Sequence, residues 1–222
     1  MDRMDGPRGP RAAGETVEGG TGGELDIRMM RRCIALAARS GRMGEYPYAA
    51  VICRGGAIVC ESINPVARDR DVTRHAEVVA IAEAQKVLGT TSLDDCAIYT
   101  NAEPCAFCSY AIRESRIGRA LFGMPSPVMG GFSRWNILGD TLLSDKMPEV
   151  FAPPPKIHPG FLREEAEAAL KRWNPIAYHV IRARGLFGGP TPVHAPPRRR
   201  DGIGARLMAM LRRNFFDRFG RR

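Results

Sequence analysis

Residues 96–122 read CAIYTNAEPCAFCSYAIRESRIGRALF. Cys96-Ala97-Ile98-Tyr99-Thr100 predicts a strand, residues 105–115 a helix, and residues 119–122 a further strand. A strand that returns to a neighbouring strand through a helix makes a right-handed crossover and a parallel pair. The fold class is therefore α/β, with a partly parallel sheet covered on both faces.

On the N-terminal side, apolar runs at 49–53 and 57–60 flank Arg54-Gly55-Gly56, whose glycines permit the positive φ of a tight hairpin. Residues 75–87 predict a helix packed on the sheet through Val78, Val79, Ile81 and Ala82. Leu25, Met29, Met30, Cys33, Ile34, Ala37 and Ala38 recur at helical spacing and predict a first amphipathic helix that stops at Ser40-Gly41. On the C-terminal side, 124–131 and 148–160 are rich in Pro, Gly and Met, with a short strand expected at 156–158. Helices are expected at 161–173 and 175–184, the second opening on Pro175 at an allowed first-turn position.

Composition bounds what such a chain can be. Its 222 residues, 44% hydrophobic and 26% charged, suit one compact domain with appended ends. Residues 1–24 carry seven glycines and predict a flexible leader, 25–187 the folded domain, and 188–222 a Pro-rich linker with an Arg-rich tail. No apolar run reaches the roughly 18 residues of a membrane span, and no apolar segment follows the first basic residues as in a secretory signal. The expected compartment is the cytoplasm. There, six cysteines read as buried thiols or metal ligands rather than disulfides.

The net charge of +9 is unevenly spread. Nine arginines against two aspartates after residue 196 give a net of +7, which leaves +2 for residues 1–196. The body is nearly neutral. The tail also carries an apolar stripe (Ile203, Leu207, Met210, Leu211, Phe215, Phe219), so it reads either as an amphipathic helix for RNA or an acidic membrane surface, or as a solvated extension.

Chemistry concentrates at two helix starts: Thr73-Arg74-His75-Ala76-Glu77 and Glu103-Pro104-Cys105-Ala106-Phe107-Cys108. Cys105 and Cys108, three apart, share a helix face near the positive end of the backbone dipole, which favours thiolates and zinc ligation. His75 with the two cysteines gives three protein ligands and leaves a fourth tetrahedral position for water, the pattern of a catalytic rather than a structural Zn2+. Glu77, two residues past His75, is placed to approach that water and move its proton. The competing readings are a redox pair or two buried thiols for Cys105 and Cys108, and an exposed first-turn acid for Glu77. Cys33, Cys53, Cys60 and Cys96 read as small core hydrophobes, and His158, His179 and His194 have no partners at ligand spacing.

His75-Ala76-Glu77 with Pro104-Cys105-Ala106-Phe107-Cys108 resembles the zinc-dependent cytidine and nucleobase deaminase superfamily, whose signature is H-x-E…P-C-x-x-C. The resemblance runs from about Leu25 to Phe122 and is strongest to the branch of tRNA adenosine, guanine and cytosine deaminases. Ala111-Ile112, Ser115-Arg116-Ile117 and Phe122-Gly123 carry it further. It implies a three-layer α/β/α fold on a five-stranded mixed sheet, a homodimer, and zinc held by His75, Cys105 and Cys108. It also implies Glu77 as proton shuttle in hydrolysis of an exocyclic amine to a carbonyl. Asn64 is similar to that branch's base-recognising asparagine; read alone, Asn64-Pro65 is a turn initiator.

Two departures stand out. Asp71-Val72-Thr73-Arg74 replaces the branch's Asp-Pro-Thr-Ala, and Met124-Pro125-Ser126-Pro127-Val128-Met129-Gly130-Gly131-Phe132 replaces an Asp- and Lys-containing segment that often shapes the substrate pocket. With a neutral body, this favours a free nucleobase or nucleoside as substrate. The alternative is a tRNA wobble adenosine aided by the tail, and a third reading is a noncatalytic structural zinc protein. Phe132, Trp135 and Met129 read either as a lid over a flat base or as core.

Overall fold

In the computed structural model, residues 23–187 are described. The expected leader lies outside them apart from its last two residues, and the expected linker and tail lie wholly outside. In chain order the elements are α1 (Glu24–Arg42), β1 (Ala49–Arg54), β2 (Ala57–Ile63), α2 (Val66–Asp69), α3 (Ala76–Leu88), β3 (Cys96–Ala102), α4 (Ala106–Glu114), β4 (Arg119–Met124), α5 (Thr141–Lys146), β5 (Lys156–Pro159), α6 (Arg163–Trp173) and α7 (Pro175–Ala183).

The sheet has five strands in the order β2-β1-β3-β4-β5. β1 runs antiparallel to β2 and to β3, whereas β3–β4 and β4–β5 are parallel, so the sheet is mixed as expected. Gly55 and Gly56 both take positive φ (54° and 84°), the requirement of a two-residue hairpin turn whose twist matches the strands.

β1 is buried at five consecutive positions, the mark of a central strand covered on both faces. Ala49, Val51 and Cys53 face one core with α1 and α6: Met30, Cys33, Ala166 and Leu170. Ala50 and Ile52, with Ile98 of β3, face the other with α3 and α4: Ala80, Ala84 and Ile112. Alternation along one strand thus produces the three layers. Cys33, Cys53 and Cys96 are buried free thiols and Cys60 is half-buried, in keeping with their reading as core residues.

α3 differs in its inward face. Val78 and Val79 are only partly buried and Ala82 is exposed, while Ala76, Ala80, Ala84 and Ile81 are buried. Alanines at i, i+4 and i+8 let the helix axis come close to β1 and β2, and that outweighs the larger apolar side chains in choosing the face.

At the far edge of the sheet, buried Asp26 of α1 accepts from Tyr99 Oη at 2.6 Å and from Arg119 Nη2 at 2.7 Å, tying the helix start to β3 and β4. Asp26→Ala strands a buried phenol and frees a guanidinium. It is expected to cost about 1–3 kcal/mol of folding stability, read as a lower urea midpoint at unchanged slope; an unmoved midpoint would show that the network contributes nothing.

Candidate active site

The parallel strands end at the same edge of the sheet, and there two helix N-termini meet. His75 is the N-cap of α3 and Cys105 the N-cap of α4, both in extended conformation. Each expected helix therefore starts one residue later than expected, and the shift has a chemical effect. An N-cap side chain points across the open end of its helix, where unpaired backbone N–H groups and the helix dipole favour negative charge.

His75 Nδ1 lies 3.3 Å from Cys108 Sγ and 3.6 Å from Cys105 Sγ, and the two sulfurs are 3.6 Å apart. Ligands about 2.0–2.1 Å (nitrogen) and 2.3 Å (sulfur) from a tetrahedral zinc lie roughly 3.5–3.8 Å from one another. The triangle matches that size to within a few tenths of an ångström. Among the described residues it is the one grouping of three or more His, Cys, Asp or Glu donors that could hold a metal ion. Two soft thiolates and an imidazole suit zinc by softness as well as by spacing. Edge-on contact with Phe107, 5.9 Å between centroids at 85°, holds the His75 ring.

Among the protein groups alone, hydrogen bonding to Cys108 pulls the Cys105 thiol down to about 4, with His75 acting in the same direction. Cys108 is pushed well above the thiol range, first by that same hydrogen bond and then by burial. His75 is raised chiefly by its hydrogen bond to Cys105. The surroundings thus favour the thiolate form at Cys105, the form a metal would bind.

Glu77, in the first turn of α3, is not the exposed acid of the alternative reading. It is 9% exposed, burial raises its carboxyl to about 7, and it forms no salt bridge among the described residues. A buried carboxyl poised near neutrality can both take and return a proton.

Asn64 follows β2, the strand on which α3 packs. Its backbone N–H donates to Tyr48 O at 3.0 Å, and the residue is 3% exposed. Its side-chain amide makes no hydrogen bond among the described residues.

The segment ahead of His75 does not need the missing proline. Asp71 Oδ1 accepts from Thr73 N at 2.8 Å and Thr73 Oγ1 at 2.6 Å, a side-chain turn that fixes the loop. Glu45, for which no role was expected, accepts from Ala67 N and Arg68 N at 3.0 and 2.7 Å and so sets α2 after Asn64-Pro65. Buried Arg113 of α4 donates to the carbonyls of Ile137, Asp140 and Ala152 and to Ser144 Oγ, holding the loops of 137–152. Glu103 likewise carried no role, and it holds 126–133. A buried ion whose partners are scattered backbone groups leaves no local sequence pattern. Phe132 packs into the core against Phe122, whereas Trp135 and Met129 are exposed, with Arg134 over the Trp135 ring at 5.0 Å.

Comparison with known proteins agrees with this geometry. Residues 24–124 match the cytidine and deoxycytidylate deaminase zinc-binding region. The tRNA-specific adenosine deaminase of Aquifex aeolicus is 38% identical over 112 residues, which are 50% of this chain and 74% of that protein. Guanine deaminase of Bacillus subtilis is 46% identical over 88 residues, 39% of this chain and just over half (56%) of that protein's length. A structure from a study of A-to-I editing by tRNA:A34 deaminases superimposes with a TM-score of 0.55 at 26% identity, covering 64% of this chain and 99% of that one. The guanine deaminase from Nitrosomonas europaea shares the fold, with a TM-score of 0.54 at 22% identity over 66% of this chain and 83% of its own. The chain belongs to the cytidine deaminase-like family of zinc-binding deaminases. Within it, the relatives include both tRNA adenosine deaminases and a guanine deaminase.

Replacing His75, Cys105 or Cys108 singly by Ala is expected to reduce the zinc in purified protein from stoichiometric to trace amounts, read by atomic emission. Full zinc retention in any of the three would remove that residue from the donor set.

Proposed function

We propose that this chain is a zinc-dependent hydrolytic deaminase that converts the exocyclic amine of a free nucleobase or nucleoside to a carbonyl and releases ammonia. The observation that carries the reading is the donor triangle of His75, Cys105 and Cys108 set beside the buried carboxyl of Glu77, which makes no salt bridge among the described residues and hydrogen-bonds to Cys108. Zinc bound there would supply Lewis acidity, which brings the pKa of a coordinated water toward neutrality.

Glu77 takes a proton from the attacking water as its oxygen bonds to the amine-bearing ring carbon, and passes that proton to the adjacent ring nitrogen. It then carries the second proton to the amine, the carbon–nitrogen bond breaks, and ammonia leaves. Water and amine in, carbonyl and ammonia out, the carboxyl ends as it began. Asn64 offers a donor and an acceptor side by side, enough to pair with one edge of a base. Burial keeps bulk water from competing for these groups.

The nearly neutral body and the distinctive 124–132 segment support a small substrate. A second reading has its own support: the A. aeolicus relative is tRNA-specific by name, and the Arg-rich residues 197–222 would attract phosphate. A purely structural zinc has no use for a buried carboxyl beside it. The folded unit proposed for this chemistry is 25–187. Assembly as a homodimer fits the exposed apolar rings of Phe107 and Tyr110 on α4, and sedimentation tests it. No helix among the described residues is long and apolar enough to cross a membrane, and a cytoplasmic setting suits the free thiols.

An ammonia-release screen of zinc-loaded protein against guanine, adenine, cytosine, their nucleosides, pterins and an anticodon stem-loop is expected to find turnover of a small base or nucleoside. Turnover of the stem-loop alone, with salt-sensitive binding lost on deleting 197–222, would favour the second reading. Glu77→Ala is expected to slow release by about 10²–10⁴-fold while zinc content stays intact; unchanged release would overturn the mechanism. Asn64→Ala is expected to lower kcat/KM by about tenfold or more, with zinc again retained.

A further inference from the structure

Glu103 lies two residues before Cys105, at the turn from β3 into α4, and it is 4% exposed. No cation pairs with it among the described residues. Instead four donors from one downstream segment converge on its carboxylate. Ser126 N reaches Oε2 at 2.6 Å and Ser133 Oγ reaches it at 2.8 Å, while Ser133 N and Phe132 N reach Oε1 at 2.6 and 3.1 Å.

The same segment grips the two residues that follow Glu103. Gly131 N–H donates to Pro104 O at 2.8 Å, and Gly130 pairs with Cys105 in an isolated antiparallel bridge. Neither glycine has room for a side chain: a Cβ on Gly130 would overlap the Glu103 carboxylate, and one on Gly131 would overlap Ser109 Oγ and press on Cys105 O at 3.0 Å. Residues 103, 104 and 105 are thus each held by one loop, and that loop is closed by the Glu103 side chain.

Cys105 is an N-cap residue, so one side of its backbone belongs to α4 and the other side is irregular. The loop supplies the missing constraint on that irregular side. We propose that Glu103 is a positioning residue for the metal donor Cys105, acting by locking 126–133 against the 103–105 turn. This inference rests on the zinc reading given above. Ligands held by packed, hydrogen-bonded surroundings lose affinity, typically by about 10–100-fold, when those surroundings are cut. The loop at 126–133 thereby becomes part of the metal site's support.

Glu103→Gln keeps the size but puts an amide N–H₂ where at least one backbone N–H now donates, so the lock opens. Ser133→Ala removes one donor of the four and leaves the carboxylate. Asp26→Asn, at the far edge of the sheet, serves as a control that lowers stability without touching the turn. Zn2+ affinity of the metal-stripped proteins is read by competition with a chromophoric chelator, and Co2+ binding by its thiolate charge-transfer band. Expected is a loss of about 10–100-fold in Zn2+ affinity and a weakened or shifted Co2+ band for Glu103→Gln, a smaller loss for Ser133→Ala, and unchanged metal binding for Asp26→Asn at comparable Tm loss. Wild-type affinity in Glu103→Gln, or the same metal loss in Asp26→Asn, overturns the positioning role. If Glu103→Gln fails to fold, wild-type affinity and Co2+ band in Ser133→Ala overturn it. Failure of the wild-type protein itself to bind Zn2+ overturns the metal reading, and this role with it.

Discussion

Everything at the site follows from two helix N-termini being delivered to one edge of the sheet. β3 is parallel to β4, so the α4 crossover must begin at the end of β3, which places Cys105 there. β2 ends at the same edge because β1 lies antiparallel between it and β3, and the short α2 loop then leads into α3 at His75. The alanine face of α3 brings that helix close enough for its open end to face that of α4. Convergence of two positive dipole ends is unfavourable unless negative charge sits between them. Thiolate charge at Cys105 would offset it, and a divalent ion held by the three donors would in turn balance that charge.

The loops around this edge are held by a shared device, a buried charged side chain whose partners are backbone groups far along the chain. Glu45 does this for α2, Arg113 for 137–152, and Glu103 for 126–133. Such bonds are directional and desolvated, so each leaves a costly orphan if its loop moves away. Glu77 is the contrast: it is buried at the same edge, and its hydrogen-bond partners are its own backbone and Cys108 rather than backbone groups far along the chain. That freedom is what the proton-carrying role proposed for Glu77 requires.

Much of this was legible in the sequence because it is written in local patterns. The hairpin at Gly55-Gly56, the strand–helix–strand run of 96–122 and the spacing of His75, Glu77, Cys105 and Cys108 depend on neighbours a few residues apart. The structure reproduces the elements and brings the three donor atoms together. The inward face of α3 was not legible, because close approach favours alanine over valine only once the sheet is in place. α2 and α5 are too short to show a period. The anchors Glu45, Glu103 and Arg113 bind across 22 to 39 residues, and nothing near them in the chain betrays the partner. Asn64 stood out by likeness alone.

X-ray absorption at the zinc edge of the purified protein tests the central claim most directly. The account predicts a tetrahedral shell of two sulfurs at about 2.3 Å and two nitrogen or oxygen neighbours at about 2.0–2.1 Å, one of them from solvent. A shell of four sulfurs, a shell without sulfur, or an absent zinc signal would contradict it.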